Sequence, residues 1–426
     1  MKPWVPFGTD RFQGKRLLWY FNVHEEEKSG DELFPAVRDD LADRIAQQQE
    51  HQLIYPARPE DAVFIHRMPE TPYLEHLRKL KGSLPELICA DHLQAVPNLE
   101  KFVLVPFVMS TEIEEIRRRV PGLEVIGARL EVSRKLNNKY QARRFAEQNG
   151  FRVTTRFFCR DASELAEAYQ KLRDMGFNKC VVKAPYGSSG KGLKMIHDPK
   201  NFQYFLRYVQ SKKKAFELLL EGWHPHKISL STQLFISDAG VEILAVTEQM
   251  IDPNGVYKGT NFTPRLTDEE MSLCRDAMIK CGTLMRRQGY TGIAGIDSIV
   301  DVYGRFIPIV EINARLTQVT YALPLAAERM ERFRHIQSKI VVFASRNDLS
   351  FEELNRDLQR VFREENGEVV IYNFCKSGDA NRFDYKLFLL VSARDRDQAD
   401  EMIRKIEELR QKWIFSTECV GTHDAH

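Results

Sequence analysis

No run of apolar residues in the chain is long enough to cross a bilayer. The first residues, Met1-Lys-Pro-Trp-Val-Pro-Phe-Gly8, lack a basic segment followed by an apolar stretch. The expectation is a cytoplasmic protein without membrane contact. An excess of either charge is missing too: 62 Lys and Arg stand against 60 Asp and Glu, a formal net charge of +2. That balance gives no footprint for nucleic acid. The seven cysteines are scattered, odd in number and without a Cys-x-x-Cys pair, which argues for free thiols in a reducing compartment. Cys274 and Cys281 read as small buried hydrophobes rather than metal ligands. Repeats and low-complexity tracts are absent. So are a Walker A loop, a Gly-x-Gly-x-x-Gly fingerprint, and any Ser–His–Asp or Cys–His pattern that would argue for a nucleophilic side chain.

What remains is a globular composition, 43% hydrophobic and 29% charged over 426 residues, enough for two to four domains. Strand candidates at 16–23, 62–66 and 102–108, with helical patterns such as 32–49 between them, suggest a parallel α/β sheet over residues 1–130. A helix is expected over 133–150, with Ser133 as N-cap and Gly150 after its end. Leu136, Tyr140 and Phe145 contribute to its buried stripe. A strand near 154–159, a helix over 163–175, and a hairpin of 179–184 with 192–196 follow. Residues 217–221, 228–237 and 241–251 read as an antiparallel set with a turn at Asp238-Ala-Gly240. Thr267 and Glu270 form a capping-box pattern opening a helix to 288. Residues 294–302 and 306–313 make a second hairpin, and a helix covers 318–330. From about 336 the pattern turns helix-rich, then gives strands at 369–374 and 385–391 and a helix over 395–412.

Two stretches carry the chemistry. Lys183-Ala-Pro-Tyr-Gly-Ser-Ser-Gly-Lys-Gly192 reads as a strand running into a phosphate-covering loop. Gly187, Gly190 and Gly192 let the backbone approach a phosphate, and Ser188, Ser189 and Lys191 add donors and charge. Lys183 sits in an apolar strand, where an ammonium needs a partner such as a phosphate. In Glu311-Ile-Asn-Ala-Arg315, strand alternation puts Glu311, Asn313 and Arg315 on one face. Asp297, in the neighbouring apolar strand, would repel Glu311 unless a metal or a pair of metals lies between them, or Arg315 supplies the counter-charge of an ordinary salt-bridged cluster. Mg²⁺ beside nucleotide phosphates uses such oxygen ligands. Glu221 ends an apolar run, where a hinge could hold an adenine by backbone bonds.

Together these residues resemble the ATP-grasp superfamily. The matching order is Lys139 on a helix, Lys183 before the Gly/Ser loop, the acid Glu221, then Asp297 and Glu-x-Asn-x-Arg. The resemblance covers roughly 130–330. It implies an α/β and α+β multidomain fold: an N-terminal α/β pre-ATP-grasp domain (1–130), an ATP-grasp domain of two α+β subdomains (131–335) and a small C-terminal α+β appendage (336–426). It also implies ATP and Mg²⁺ as cofactors. Lys139 and Lys183 would hold the α/β-phosphates, with the 187–192 loop closing over the β/γ-phosphates. Glu221, Gly222, Trp223 and His224 would form the adenine hinge, and Asp297, Glu311 and Asn313 would bind Mg²⁺. Arg315 would stabilise the transferring phosphoryl group, and Lys258 would reach the γ-phosphate. Pro225-His-Lys-Ile-Ser229 lacks the carboxylate that commonly takes the ribose hydroxyls; His226 or Lys227 stands in its place.

The activity so implied is ATP-dependent ligation. A small-molecule carboxylate is activated as an acyl phosphate and passed to an amine acceptor or an acyl-carrier-protein thiol. The domain order is most similar to ligases of peptide and aminoglycoside pathways, one of which loads glutamate onto a carrier protein. Two alternatives stay open: an ATP-grasp kinase acting on a hydroxyl, and a non-catalytic nucleotide-binding module. Basic clusters at 212–214, 286–287 and 329–334 could dock a carrier protein, though solvated surface charge accounts for each. A homodimer through the C-terminal unit is also open.

Overall fold

The computed structural model describes residues 15–27, 40–187, 192–212, 216–252, 255–362, 366–379 and 381–415. Its strands fall into three sheets that follow each other along the chain. The first holds β1 (Arg16–Tyr20), β2 (Ala62–Ile65), β3 (Glu86–Cys89), β4 (Phe102–Pro106) and β5 (Glu124–Val125), all parallel, in the order β3-β2-β1-β4-β5. The order reverses between β1 and β4, and a small cavity lined by Phe107, Val108 and Arg315 lies at the carboxyl end of β4. Asn22 bridges this point, exchanging hydrogen bonds of 2.9 and 3.1 Å with the Val108 backbone. The short strands β3 and β5 escaped the sequence reading. Part of the expected helix at 32–49 lies outside the described residues, and the described helix is Asp40–Gln48.

The second sheet holds β6 (Arg156–Cys159), β7 (Cys180–Lys183), β8 (Leu193–Ile196) and β9 (Leu218–Gly222), ordered β6-β9-β7-β8 and antiparallel. The sequence suggested that 217–221 pairs with 228–251. Instead β9 inserts between β6 and β7, because both of its neighbours offer apolar partners to Leu218–Leu220.

The third sheet has eight strands: β10 (His226–Ser237), β11 (Gly240–Ile251), β12 (Tyr257–Asn261), β13 (Gly292–Asp301), β14 (Phe306–Asn313), β15 (His335–Ser345), β16 (Glu368–Asp379) and β17 (Arg382–Ala393). Their order is β14-β13-β10-β11-β12-β15-β17-β16. The helix-rich reading from 336 therefore missed β15. Its residues 335–338 are buried on both faces, so the alternation that marks a half-exposed strand is absent. The C-terminal strands continue this large sheet, and their core extends to Tyr73 and Leu77 of the N-terminal region.

The junction of β12 with β15 depends on Gly259. A Cβ there would lie 2.1 Å from the Ser338 carbonyl oxygen. Gly259→Ala is therefore expected to destabilise the protein by roughly 2–4 kcal/mol, since backbone has no room to yield. Urea unfolding would read this, and an unchanged midpoint would refute the close approach.

The helix expected over 133–150 is two helices, Leu130–Asn137 and Lys139–Gln148. Asn138 takes ψ 112° and its side chain accepts the Gln141 N–H, capping the second helix. Ser133 is not the cap but lies buried inside the first helix. The capping box of Thr267 and Glu270 forms as expected. Among the described residues no helix is long and apolar enough to cross a membrane, and the six cysteines within them are free.

Candidate active site

A cleft of about 250 Å³ opens between the second and third sheets. Its floor follows from strand register. Ser231 pairs with Asp297, and Asp297 with Glu311, so three strands place them in one row. The next row is Gln233, Gly295 and Asn313. Alternation turns Ile296 and Ile312 to the opposite, buried face. Gly295 is needed here, as a Cβ would meet Thr317 at 2.7 Å.

Asn313 Nδ2 donates to Asp297 Oδ2 at 3.2 Å, and Arg315 donates to Asn313 Oδ1 at 2.9 Å. Arg315 also lies over the Phe107 ring at 5.1 Å, tying the site to the carboxyl end of β4. Burial and the Glu311 charge push the Asp297 carboxyl up to about 6. Glu311 shifts the other way: burial opposes ionisation, but Lys139 at 2.8 Å holds it below the usual range. One acid of the pair is thus firmly ionised and the other is poised. Asp297 Oδ1 is enclosed without a hydrogen bond of ordinary geometry. An enclosed carboxylate oxygen beside a second carboxylate is a donor set that suits a hard divalent cation, and the Asn313 amide would join it by turning its oxygen from Arg315 to the ion.

Facing this row across the cleft are Lys183, Val181, Leu193 and Met195 of the second sheet. Lys183 pairs with Glu221 at 2.6 Å. Glu221 is 2% exposed. Burial alone would raise it, yet Arg143 and Lys183 hold it down at about 2. Lys139 Nζ also reaches the Gly187 carbonyl at 2.5 Å, linking the helix start to the base of the loop. The hairpin closes as expected, with Gly192 at φ 77°. The loop residues Ser188, Ser189, Gly190 and Lys191 lie outside the described residues.

The hinge residues Gly222, Trp223 and His224 line the cleft. The Gly222 and Trp223 N–H groups are already taken by the Thr155 and Lys179 carbonyls, at 2.9 Å each. His224 Nε2 accepts the Thr155 N–H at 3.0 Å, and burial lowers its pKa, so the ring is neutral with its proton on Nδ1. Of the two residues suggested for the ribose, His226 lines the cleft, while Lys227 turns outward to Glu270 at 2.8 Å. Lys258 is not brought to the site. The β11–β12 ladder is bulged at this point, pairing Ile251 with Tyr257 and Met250 with Gly259, so Tyr257 takes the cleft face and the unpaired Lys258 turns outward, where it meets Asp252 at 3.3 Å. The sequence reading missed Arg143, Gln249 and Gln318. Arg143 had a signal: it stands four residues after Lys139, on the same helix face.

A family model described as an ATP-grasp domain matches residues 136–319. Over 97% of its length the chain is 48% identical to the [butirosin acyl-carrier protein]–L-glutamate ligase of Niallia circulans, covering 99% of that protein. The chain belongs to the ATP-grasp ligases. Solved structures agree on the fold. An ADP complex of purK, an N5-carboxyaminoimidazole ribonucleotide synthetase, superposes with a TM-score of 0.60 at 14% identity, covering 93% of this chain and 98% of that one. Phosphoribosylamine–glycine ligase of Thermotoga maritima gives 0.55 at 15% identity, covering 85% and 94%. As an ATP-grasp ligase, the protein binds ATP and uses it to activate a carboxylate.

Proposed function

We propose that this ligase phosphorylates the side-chain or main-chain carboxylate of an amino acid, glutamate by analogy with its Niallia circulans relative, and transfers the acyl group to a carrier-protein thiol. The observation that carries the reading is the row of Asp297, Glu311 and Asn313 opposite Lys183, across a cleft with apolar walls for a base. Asp297, Glu311 and Asn313 would hold Mg²⁺, which when bound would neutralise charge on the β- and γ-phosphates. Lys139 and Lys183 supply positive charge to the same phosphates. Trp223, His224 and the apolar wall take the base, and His226 stands where the ribose would lie. Arg315 faces the γ-phosphate position, where a carboxylate oxygen would attack phosphorus and ADP would leave. The residues of 187–192 would then cover the acyl phosphate from water until the thiol displaces phosphate. In this reading residues 1–130, 131–335 and 336–426 supply, in order, the cavity wall beside Arg315, the nucleotide site and the extended sheet behind it.

The test is an assay of ADP and phosphate release with Mg-ATP, glutamate and either hydroxylamine or a pantetheinylated carrier protein. Glutamyl hydroxamate, and glutamyl thioester on the carrier, are the expected products. A phosphorylated product with neither hydroxamate nor free phosphate would overturn the reading in favour of a kinase.

A further inference from the structure

Arg143 is a charged side chain with no access to the cleft. It is 3% exposed and does not line the site. It contacts two residues of the cleft wall, Glu221 and Thr154, from the side away from the cleft. Nη2 meets Glu221 Oε1 and Thr154 Oγ1, the latter at 2.8 Å, and Nη1 reaches the Ile309 carbonyl at 3.4 Å. Those partners sit on β9, on the segment before β6 and on β14, so the guanidinium joins the two sheets that form the cleft. The other oxygen of Glu221 belongs to Lys183.

Charge bookkeeping gives this arrangement a purpose. Lys183 and Glu221 alone would be a closed, neutral pair, and a lysine satisfied by a buried carboxylate has little left for a phosphate. Arg143 draws on the same carboxylate. Two cations then share one anion, and the triad keeps a net single positive charge whose only outlet toward the cleft is the Lys183 ammonium. The neighbouring Lys139 pairs with Glu311 and so adds no surplus before a nucleotide arrives, while Glu311 also feels the Lys183 charge from the cleft side. A second effect is geometric. Held from behind on one oxygen, Glu221 presents the other to Lys183 in one orientation, so the ammonium is fixed before the ligand enters.

We infer that Arg143 is a positioning residue for the nucleotide phosphates, acting through Glu221 to leave the Lys183 charge unspent. This rests on the proposed role of Lys183 at the phosphates. Removing Arg143 should therefore weaken phosphate recognition and leave base recognition alone.

The experiment measures ADP and adenosine affinities of the full-length protein by calorimetry or Trp223 fluorescence, for wild type, Lys183→Met, Arg143→Met and Arg143→Lys. The expected result is an ADP affinity reduced on the order of tenfold or more in Arg143→Met, an unchanged adenosine affinity, and substantial recovery in Arg143→Lys. Because Arg143→Met leaves a buried acid with one partner, a double variant Arg143→Met/Glu221→Gln carries the test if the single one does not fold. It removes one cation and one anion, keeps the surplus on Lys183, and should bind ADP on the order of tenfold more tightly than Lys183→Met does. Equal losses for ADP and adenosine in Arg143→Met, or an ADP affinity in the double variant as poor as in Lys183→Met, would overturn the inference. An unaltered ADP affinity in Lys183→Met would instead remove the reading on which it rests.

Discussion

Glu311→Gln is expected to lower kcat by roughly 10²–10³-fold or more while leaving ADP binding in place. Two consequences of one substitution separate here. The carboxylate that would share the metal with Asp297 and Asn313 is lost, so charge developing on the phosphates goes uncompensated. At the same time Lys139, now paired with Glu311 at 2.8 Å, loses its counter-ion. A buried ammonium without a partner seeks the next available anion, and the phosphates of a bound nucleotide are that anion. Turnover should collapse while metal-free ADP affinity holds or rises. Single-turnover phosphate release and ADP calorimetry on the same preparation would read both. Loss of ADP binding together with turnover would mark Glu311 as a structural counter-ion and sink its assignment to the metal.

The same ion pair explains where the sequence stopped being legible. Glu311, Asn313 and Asp297 could be placed on one surface because alternation and a hairpin turn are local rules, and the ladder register bears that geometry out. The pairings of Lys139 with Glu311 and of Lys183 with Glu221 join residues far apart in the chain. No local period reports such contacts. The same limit hid the placement of β9. Its apolar run announces a strand, but whether it pairs with β10 or enters the second sheet is a tertiary choice. Strand β15 was missed for another reason: buried on both faces near its start, it lacks the period-2 signal that distinguishes a strand from a buried helix. Lys258 shows the converse. A lysine beside a glycine in a strand looks available for a phosphate, and only the bulge in the β11–β12 ladder decides which face it occupies. The division of the helix at Asn138 was readable in principle, since Asn-Asn before a helical run is a cap signal that competes with Ser133.

Asp297 and Glu221 occupy one cleft with acidities displaced in opposite directions, so they should load the stability of the metal-free protein with opposite signs. Asp297 rises from 3.8 unfolded to about 6 folded. The native state therefore holds a proton the unfolded chain has released, and stability falls as pH rises between these values, by roughly 3 kcal/mol in all. Glu221 moves from 4.5 to about 2. Its contribution, also roughly 3 kcal/mol, is present in full above the unfolded value and is lost as pH falls through the folded one. Urea unfolding in EDTA between pH 3 and 7.5 separates them through differences from wild type. Asp297→Asn should match wild type near pH 4 and become more stable than it by pH 7, because the amide has no charge to bury. Glu221→Gln should be much less stable than wild type at pH 7, with the gap narrowing toward pH 3. A pH-independent difference for Asp297→Asn would mean that Glu311 and Lys139 already balance the site and that Asp297 ionises as an ordinary carboxylate. The predicted divergence would mean that the cleft is built strained at Asp297 and settled at Glu221, with binding free energy from a divalent cation available to relieve the first.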